Sequence, residues 1–458
     1  MVALVFSILL LAFATFLAFG RFQTSATTIL FCAAWGTMLL LYRVFGFDYE
    51  YALWVILFTI ACVSAWVIGA LGASWLYRRE HVAARTAERS IEIAFLPQFL
   101  VLTTLVGMIA PFDWAATTGI DLARIRDFGA LLDAAQDAHI MLAQQRIEQS
   151  GVNKICLMIA LSGVITAGLY IGAGRPGPRL PTALLFAPVT PYLSMMLLTT
   201  IRSMMIVPVI MMFASWVAGL TLLNRDRSIF RRDRVIRIGA GALVIFTIIA
   251  YLQGVRSGDY TFARLDQTFL RLRLWFAGYE PTLVAYMTRV WDQQMQWGAS
   301  SFRVFASLLG ADDTALAYGQ GQLDIGGNDQ SNAMTALRFI LEDWGMLGAV
   351  LFCAIWGAVT GLVGEITRTG KLWLAPIFAL LIAVAIFSPN SWFLNYGTRC
   401  FAPVLTMIYL ALCGKVVLGD GRGSGSIPQL NPQTAEESVD TAKSKSRQRA
   451  EARRKLGL

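Results

Sequence analysis

The chain has 458 residues, of which 56% are hydrophobic and 15% charged, and its formal net charge is +9. That balance excludes a soluble globular protein, which needs far more polar surface to cover its core. The apolar residues are bunched into blocks of about 20, the length that crosses a hydrocarbon layer as helix, so an all-α polytopic membrane protein is expected.

The blocks run at about 3–20, 27–47, 52–76, 92–112, 152–173, 181–200, 204–223, 238–254, 335–364, 372–388 and 400–418, which predicts about 11–12 transmembrane helices. The first lacks a basic leading segment and a small-x-small site before Arg21, so it reads as a retained helix rather than a cleaved signal. Basic connections follow the third block (Arg78, Arg79, Arg85, Arg89), the fifth (Arg175, Arg179), the seventh (Arg225 through Arg237) and the ninth (Arg368, Lys371). Lysine and arginine are retained in the cytoplasm. These connections are therefore inside, the carboxyl terminus is cytoplasmic and the amino terminus lies outside.

Two long outward loops follow from that orientation, about 113–151 and 255–334. The first is polar and helical in pattern from Asp121 to Glu148, broken only at Gly129. The second is rich in aromatics, and its runs from Phe262 to Asp266 and from Phe269 to Phe276 predict amphipathic helices at the membrane interface. Residues 1–418 thus form one transmembrane domain. Residues 419–458, first Gly/Ser/Pro-rich and then of mixed charge, are expected to be a disordered basic cytoplasmic tail that meets anionic lipid.

The sequence has no GxxxxGK[ST] loop, HExxH, CxxC pair or Asp-x-Asp, and its two histidines, His81 and His139, lie in different loops. No metal, no cofactor and no nucleic-acid partner is expected. The six cysteines, Cys32, Cys62, Cys156, Cys353, Cys400 and Cys413, have neither metal nor disulfide spacing and read as small core residues.

Candidate chemistry gathers on the outward side. Arg202, in Thr199-Thr-Ile-Arg-Ser, sits between two apolar blocks where an ionised side chain needs an anionic partner or the lipid headgroups. The large loop adds Arg256, Arg271 and Arg273 among its arginines, and on a helix the last two diverge. Arg338 and Glu342 open the ninth block four residues apart and are placed to pair, while Asp343 begins a neighbouring face. That cluster reads either as a structural pair or as a functional site at a helix entrance. Arg399 starts the last block. Arg202, Arg338 and Arg399 are therefore expected on the outer rim of three helices, where guanidinium forks grip a pyrophosphate.

These features resemble the Wzy-type oligosaccharide repeat unit polymerases. The resemblance rests on the turn Thr200-Ile-Arg202-Ser203, on the loop that ends in Asn332 to Gly348 with Asp343-Trp-Gly345-Met-Leu-Gly348, and on Arg399. It implies a fold related to the GT-C class, an inner-membrane location with a periplasmic active face, and substrates that are glycans on polyprenyl pyrophosphate. One glycan hydroxyl would attack the anomeric carbon of the other chain and release polyprenyl pyrophosphate. Arginines would stabilise the leaving charge, with no obligatory metal. A carboxylate would take the proton, and Glu342, Asp343, Glu280 and Asp329 are the candidates. A chain-length regulator and a flippase are the protein partners implied, beside membrane lipid. The rivals are an O-antigen ligase, disfavoured because residues 255–334 hold no histidine, and a flippase or transporter, which would carry charge at the helix centres.

Overall fold

The structure is a computed structural model that describes residues 2–19, 25–80, 89–121, 128–143, 149–175, 180–255, 265–292, 295–310, 323–327, 329–333 and 335–418. The membrane unit runs Met1–Val417, and the predicted tail from residue 419 lies outside the described residues.

In chain order the elements are α1 (Val2–Phe19), α2 (Ala26–Phe45), α3 (Leu53–Glu80), β1 (Arg89–Ile93), α4 (Leu96–Gly107), α5 (Ile109–Thr118), α6 (Phe128–Ala143), α7 (Gly151–Gly172), α8 (Thr182–Phe186) and α9 (Thr190–Thr199). They continue with α10 (Ser203–Leu222), α11 (Arg232–Val255), α12 (Leu265–Ala277), α13 (Tyr279–Arg289), α14 (Arg303–Leu308), β2 (Leu323–Gly326), β3 (Asp329–Ser331), α15 (Ala336–Arg368), α16 (Ala375–Phe387), α17 (Gly397–Cys413) and β4 (Gly414–Leu418). The protein is a mostly helical polytopic membrane protein. Among the described residues nine helical segments are long and apolar enough to span: α1, α2, α3, α4–α5, α7, α8–α9, α10, α11 and α15. Large apolar side chains such as Ile68, Leu347 and Leu412 lie 70%, 76% and 81% exposed on its surface, as expected where the solvent is lipid rather than water.

Beside the expected 11–12 helices stand nine candidate spans and two shorter apolar helices among the described residues. The last two apolar blocks form the shorter helices Leu372–Phe387 and Gly397–Cys413. α17 stops because Gly414 to Leu418 leaves the helix and pairs with β1, and the β-branched Val416 and Val417 suit that extended state. A second pair, β2 with β3, is an antiparallel hairpin turned at Gly326 and Gly327, both at positive φ. The purely α expectation is corrected accordingly. The first outward loop also begins later than expected, because α5 continues to Thr118 and is capped by left-handed Gly119. Gly129 lies in the first turn of α6, and residues 122–127 before it lie outside the described residues.

Close helix packing uses glycine. A Cβ at Gly69 would come within 2.0 Å of the Ala354 carbonyl oxygen, and one at Gly357 within 2.0 Å of the Trp66 carbonyl oxygen. Gly361, one turn further along, would meet the Ala70 carbonyl oxygen at 2.3 Å. α3 and α15 therefore touch backbone to backbone along a Gly-x-x-x-Gly stripe.

Opposite ends of the bundle are closed differently. At the end that carries the short basic connections, Glu365 Oε1 accepts from Arg78 Nε and from Arg368 Nη1, each at 2.9 Å. Arg368 also pairs with Asp226, which accepts from the Ala26 amide at 3.3 Å. This buried network ties the ends of α2, α3 and α15 to the turn after α10. At the other end, Tyr42, Tyr49, Ile56, Ala277, Ala285 and Ile325 form a small core that seats α12, α13 and the hairpin on the α2–α3 connection. That second end holds every candidate site residue described below.

Candidate functional site

Arg202 is placed by a constrained turn. Thr200 adopts the left-handed conformation, φ 52° and ψ 17°, which a β-branched residue takes up only when its surroundings impose it. The turn sets the Arg202 guanidinium over the Trp275 indole of α12, 5.0 Å from the ring centroid. Trp275 and Phe276 wall an apolar groove of about 410 Å³. α2 lines this groove from Leu30 to Leu41, roughly 16 Å at the helical rise per residue. Phe213 of α10, Ile386 of α16 and Asn390 complete it.

Glu280 lies behind Phe276, in the first turn of α13, and is 5% exposed. Its Oε1 accepts from Thr59 Oγ of α3 at 2.8 Å, and its Oε2 has no hydrogen-bond partner. Burial pushes the carboxyl pKa up to about 7, against the opposing pull of the Thr59 hydrogen bond. Glu280 faces a chamber of about 10 Å³ bounded also by Trp35, Tyr42, Tyr279 and Thr335. Met38, Phe276 and Pro389 line both the chamber and the groove, so the two adjoin.

The cluster that opens α15 is bound into the protein. Arg338 Nε donates to Glu342 Oε1 at 2.7 Å, and its guanidinium lies 4.4 Å from the Tyr286 ring centroid. Glu342 Oε2 accepts from Ser300 Oγ at 2.9 Å. Asp343 is fully buried and accepts from the backbone amides of Ser300, at 2.8 Å, and of Ser301. Two residues on, Gly345 leaves helical geometry at φ 64°, ψ −176°, a region open essentially to glycine alone. The carbonyls of Glu342 and Asp343 beside that break accept from the Gln296 and Trp297 amides at 2.9 and 3.2 Å. Side chains and backbone of Glu342 and Asp343 together hold the segment 296–301.

The remaining candidates divide. Arg399 is buried and stacks over Tyr396 at 4.1 Å and Phe393 at 4.9 Å. Arg202, Arg338 and Arg399 thus each lie on a different aromatic ring. Arg273 pairs with Asp48, whose carboxyl its guanidinium holds below the usual carboxylate range. It also covers the Tyr49 ring at 4.6 Å, and the Tyr49 hydroxyl donates to Asp329 Oδ2 at 2.8 Å. Arg289 pairs with Glu50 alongside. These contacts fasten α12, α13 and the hairpin to the α2–α3 connection. Arg271 is on α12, with its side chain outside the described residues, and Arg256 lies outside them altogether. Among the described residues no three His, Cys, Asp or Glu side chains are grouped as a metal site requires.

Sequence reasoning missed Trp275, Thr335 and the groove face of α2. Trp275 stands in the aromatic run from Phe269 to Phe276, and Thr335 is the first residue of an apolar block, the usual place of a helix cap. The groove face of α2 had no sequence signal, because every lipid-spanning helix is apolar all round. Comparison with protein-family models, with characterised proteins and with solved structures gave no match.

Proposed function

We infer that the chain is a bacterial inner-membrane glycosyltransferase of the oligosaccharide repeat unit polymerase type. It joins glycans carried on polyprenyl pyrophosphate at the periplasmic face and releases polyprenyl pyrophosphate. The observation that carries the reading is Arg202, stacked on Trp275 at the lip of an apolar groove. A prenyl tail leaving the bilayer for this groove exchanges one apolar surrounding for another, so it gains little hydrophobic energy. Affinity then rests on the headgroup. A guanidinium presents a planar fork of donors to phosphate oxygens, and the electron-rich Trp275 face holds that fork in place. As the anomeric carbon–oxygen bond breaks, charge builds on the pyrophosphate, where a fixed cation is most useful. Glu280 is the described carboxylate with an oxygen still open beside this groove, whereas Glu342, Asp343 and Asp329 already accept hydrogen bonds from the protein.

The test uses the full chain in nanodiscs, with polyprenyl pyrophosphate binding followed by native mass spectrometry. Arg202→Ala is expected to weaken binding at least tenfold, and Arg202→Lys to restore little of it, since lysine offers a point charge in place of a fork. Equal binding by all three proteins would reduce Arg202 to a lipid-surface anchor and remove the reading's support.

A further inference from the structure

Two residues that line the chamber behind Phe276 each carry a buried polar atom without a hydrogen-bond partner. One is Glu280 Oε2 and the other is Thr335 Oγ. Thr335 is the N-cap of α15, yet its side chain makes no capping hydrogen bond, so its position does not derive from capping. An unsatisfied buried hydroxyl or carboxyl oxygen costs about 1–3 kcal/mol, and two such atoms around one chamber call for a shared guest. The chamber's free volume of about 10 Å³ is that of a single water or hydroxyl. Two other polar groups of its lining are engaged elsewhere: Trp35 donates to Ser388 Oγ at 2.9 Å and Tyr42 to the Glu50 carbonyl at 2.8 Å.

We propose that the Glu280–Thr335 chamber seats the attacking hydroxyl of the acceptor glycan, with Thr335 orienting it and Glu280 taking its proton. The proposal rests on the polymerase reading above. The hydroxyl oxygen forms a bond to the anomeric carbon of the donor, and the bond from that carbon to the pyrophosphate oxygen breaks. The electron pair of the broken bond leaves with the pyrophosphate, and the hydroxyl proton passes to Glu280 Oε2. Between turnovers a water takes the same place. The titratable groups around Glu280 are Tyr42 on α2, Cys62 on α3 and Tyr279 beside it; of the cations on neighbouring elements, Arg43 acts on Tyr42 and Arg202 on Tyr279, while Arg273 and Arg289 are paired with Asp48 and Glu50. Burial outweighs the Thr59 hydrogen bond and leaves the Glu280 carboxylate basic enough to accept a proton near neutral pH.

The full chain is reconstituted with its lipid-linked repeat unit, and chain extension is measured against pH beside polyprenyl pyrophosphate binding. Glu280→Gln is expected to slow extension by about 10²–10⁴-fold with binding unchanged. Thr335→Val should slow extension and Thr335→Ser should restore it, and because Thr335 Oγ bonds to nothing in the protein the pair decides the matter even if Glu280→Gln fails to fold. In the wild type the rate should rise through about pH 7, as Glu280 ionises. Wild-type extension by Glu280→Gln, or by Thr335→Val, would overturn the proposal and leave the chamber as a structural water site. Absence of both binding and extension in the wild-type protein would overturn the polymerase reading itself.

Discussion

Arg338 and Glu342 meet through a 2.7 Å hydrogen bond one helical turn apart, and both are nearly buried where α15 begins. Removing either partner strands the other away from water, which typically costs 3–5 kcal/mol. Arg338→Ala and Glu342→Ala should therefore each lower the unfolding midpoint in detergent, and the double variant should lose less than the sum. The reversed pair, Arg338→Glu with Glu342→Arg, should fold but lose the stacking on Tyr286 and the hydrogen bond from Ser300. If the swap extends glycan chains normally, Arg338 has no part in gripping substrate. Strict additivity of the single losses would show that the pair does not act as a pair.

At Gly357 the backbone of α15 lies against that of α3. Gly357→Val puts side-chain atoms onto the Trp66 carbonyl, and neither backbone has room to withdraw without separating the two helices. A loss of at least the 1–3 kcal/mol usual for overpacking is expected, read as lower yield of monodisperse protein after extraction. Gly72→Ala, where a Cβ meets nothing within 4 Å, is the matched control and should leave yield unchanged or raise it. Equal yields from the two variants would contradict the backbone contact.

Glu280 makes stability depend on pH in a defined direction. Its folded pKa, about 7, lies above the ordinary carboxylate range, so the fold favours the neutral acid. That contribution is complete below the unfolded pKa and is lost as pH rises through about 7. Between pH 4.5 and 8 the wild type should lose on the order of 3 kcal/mol relative to Glu280→Gln. Denaturation in detergent at several pH values measures the difference. Parallel curves for the two proteins would mean that Glu280 is ionised or solvated throughout.

Orientation is open to reporter fusions. Fusions after Arg231 should read cytoplasmic and those after Gly119 or Gly310 periplasmic, by the distribution of arginine among the short connections. A cytoplasmic signal after Gly310 would put Arg202, Glu280 and the groove on the face where polyprenyl-linked glycans are not polymerised.

The spans were legible because lipid imposes its length on helices, and hydropathy reads length directly. The Arg338–Glu342 bond was legible for a similar reason, since four-residue spacing on a helix is a purely local fact. The role of Asp343 was not. Its partners, the amides of Ser300 and Ser301, are backbone groups more than forty residues away, and any residue supplies an amide. The isolation of Glu280 was equally hidden, because an open carboxylate oxygen is defined by what fails to approach it in three dimensions. The Gly357-x-x-x-Gly361 stripe stood in the sequence as a recognisable packing signal, but its partner on α3 required the fold.

The break at Gly345 also has a consequence for thickness. An unbroken helix of 33 residues would be about 50 Å long, against a hydrocarbon core of about 30 Å. Such a rod must tilt steeply, deform the bilayer or push polar residues into it. Ending the regular geometry at Gly345 leaves a lower piece of roughly 36 Å, close to what a modestly tilted span requires. The nine residues before the break, Ala336 to Trp344, are thereby released from matching the membrane at all. One glycine lets two consecutive helical pieces serve two solvents, with lipid setting the length of one and the needs of the site setting the direction of the other.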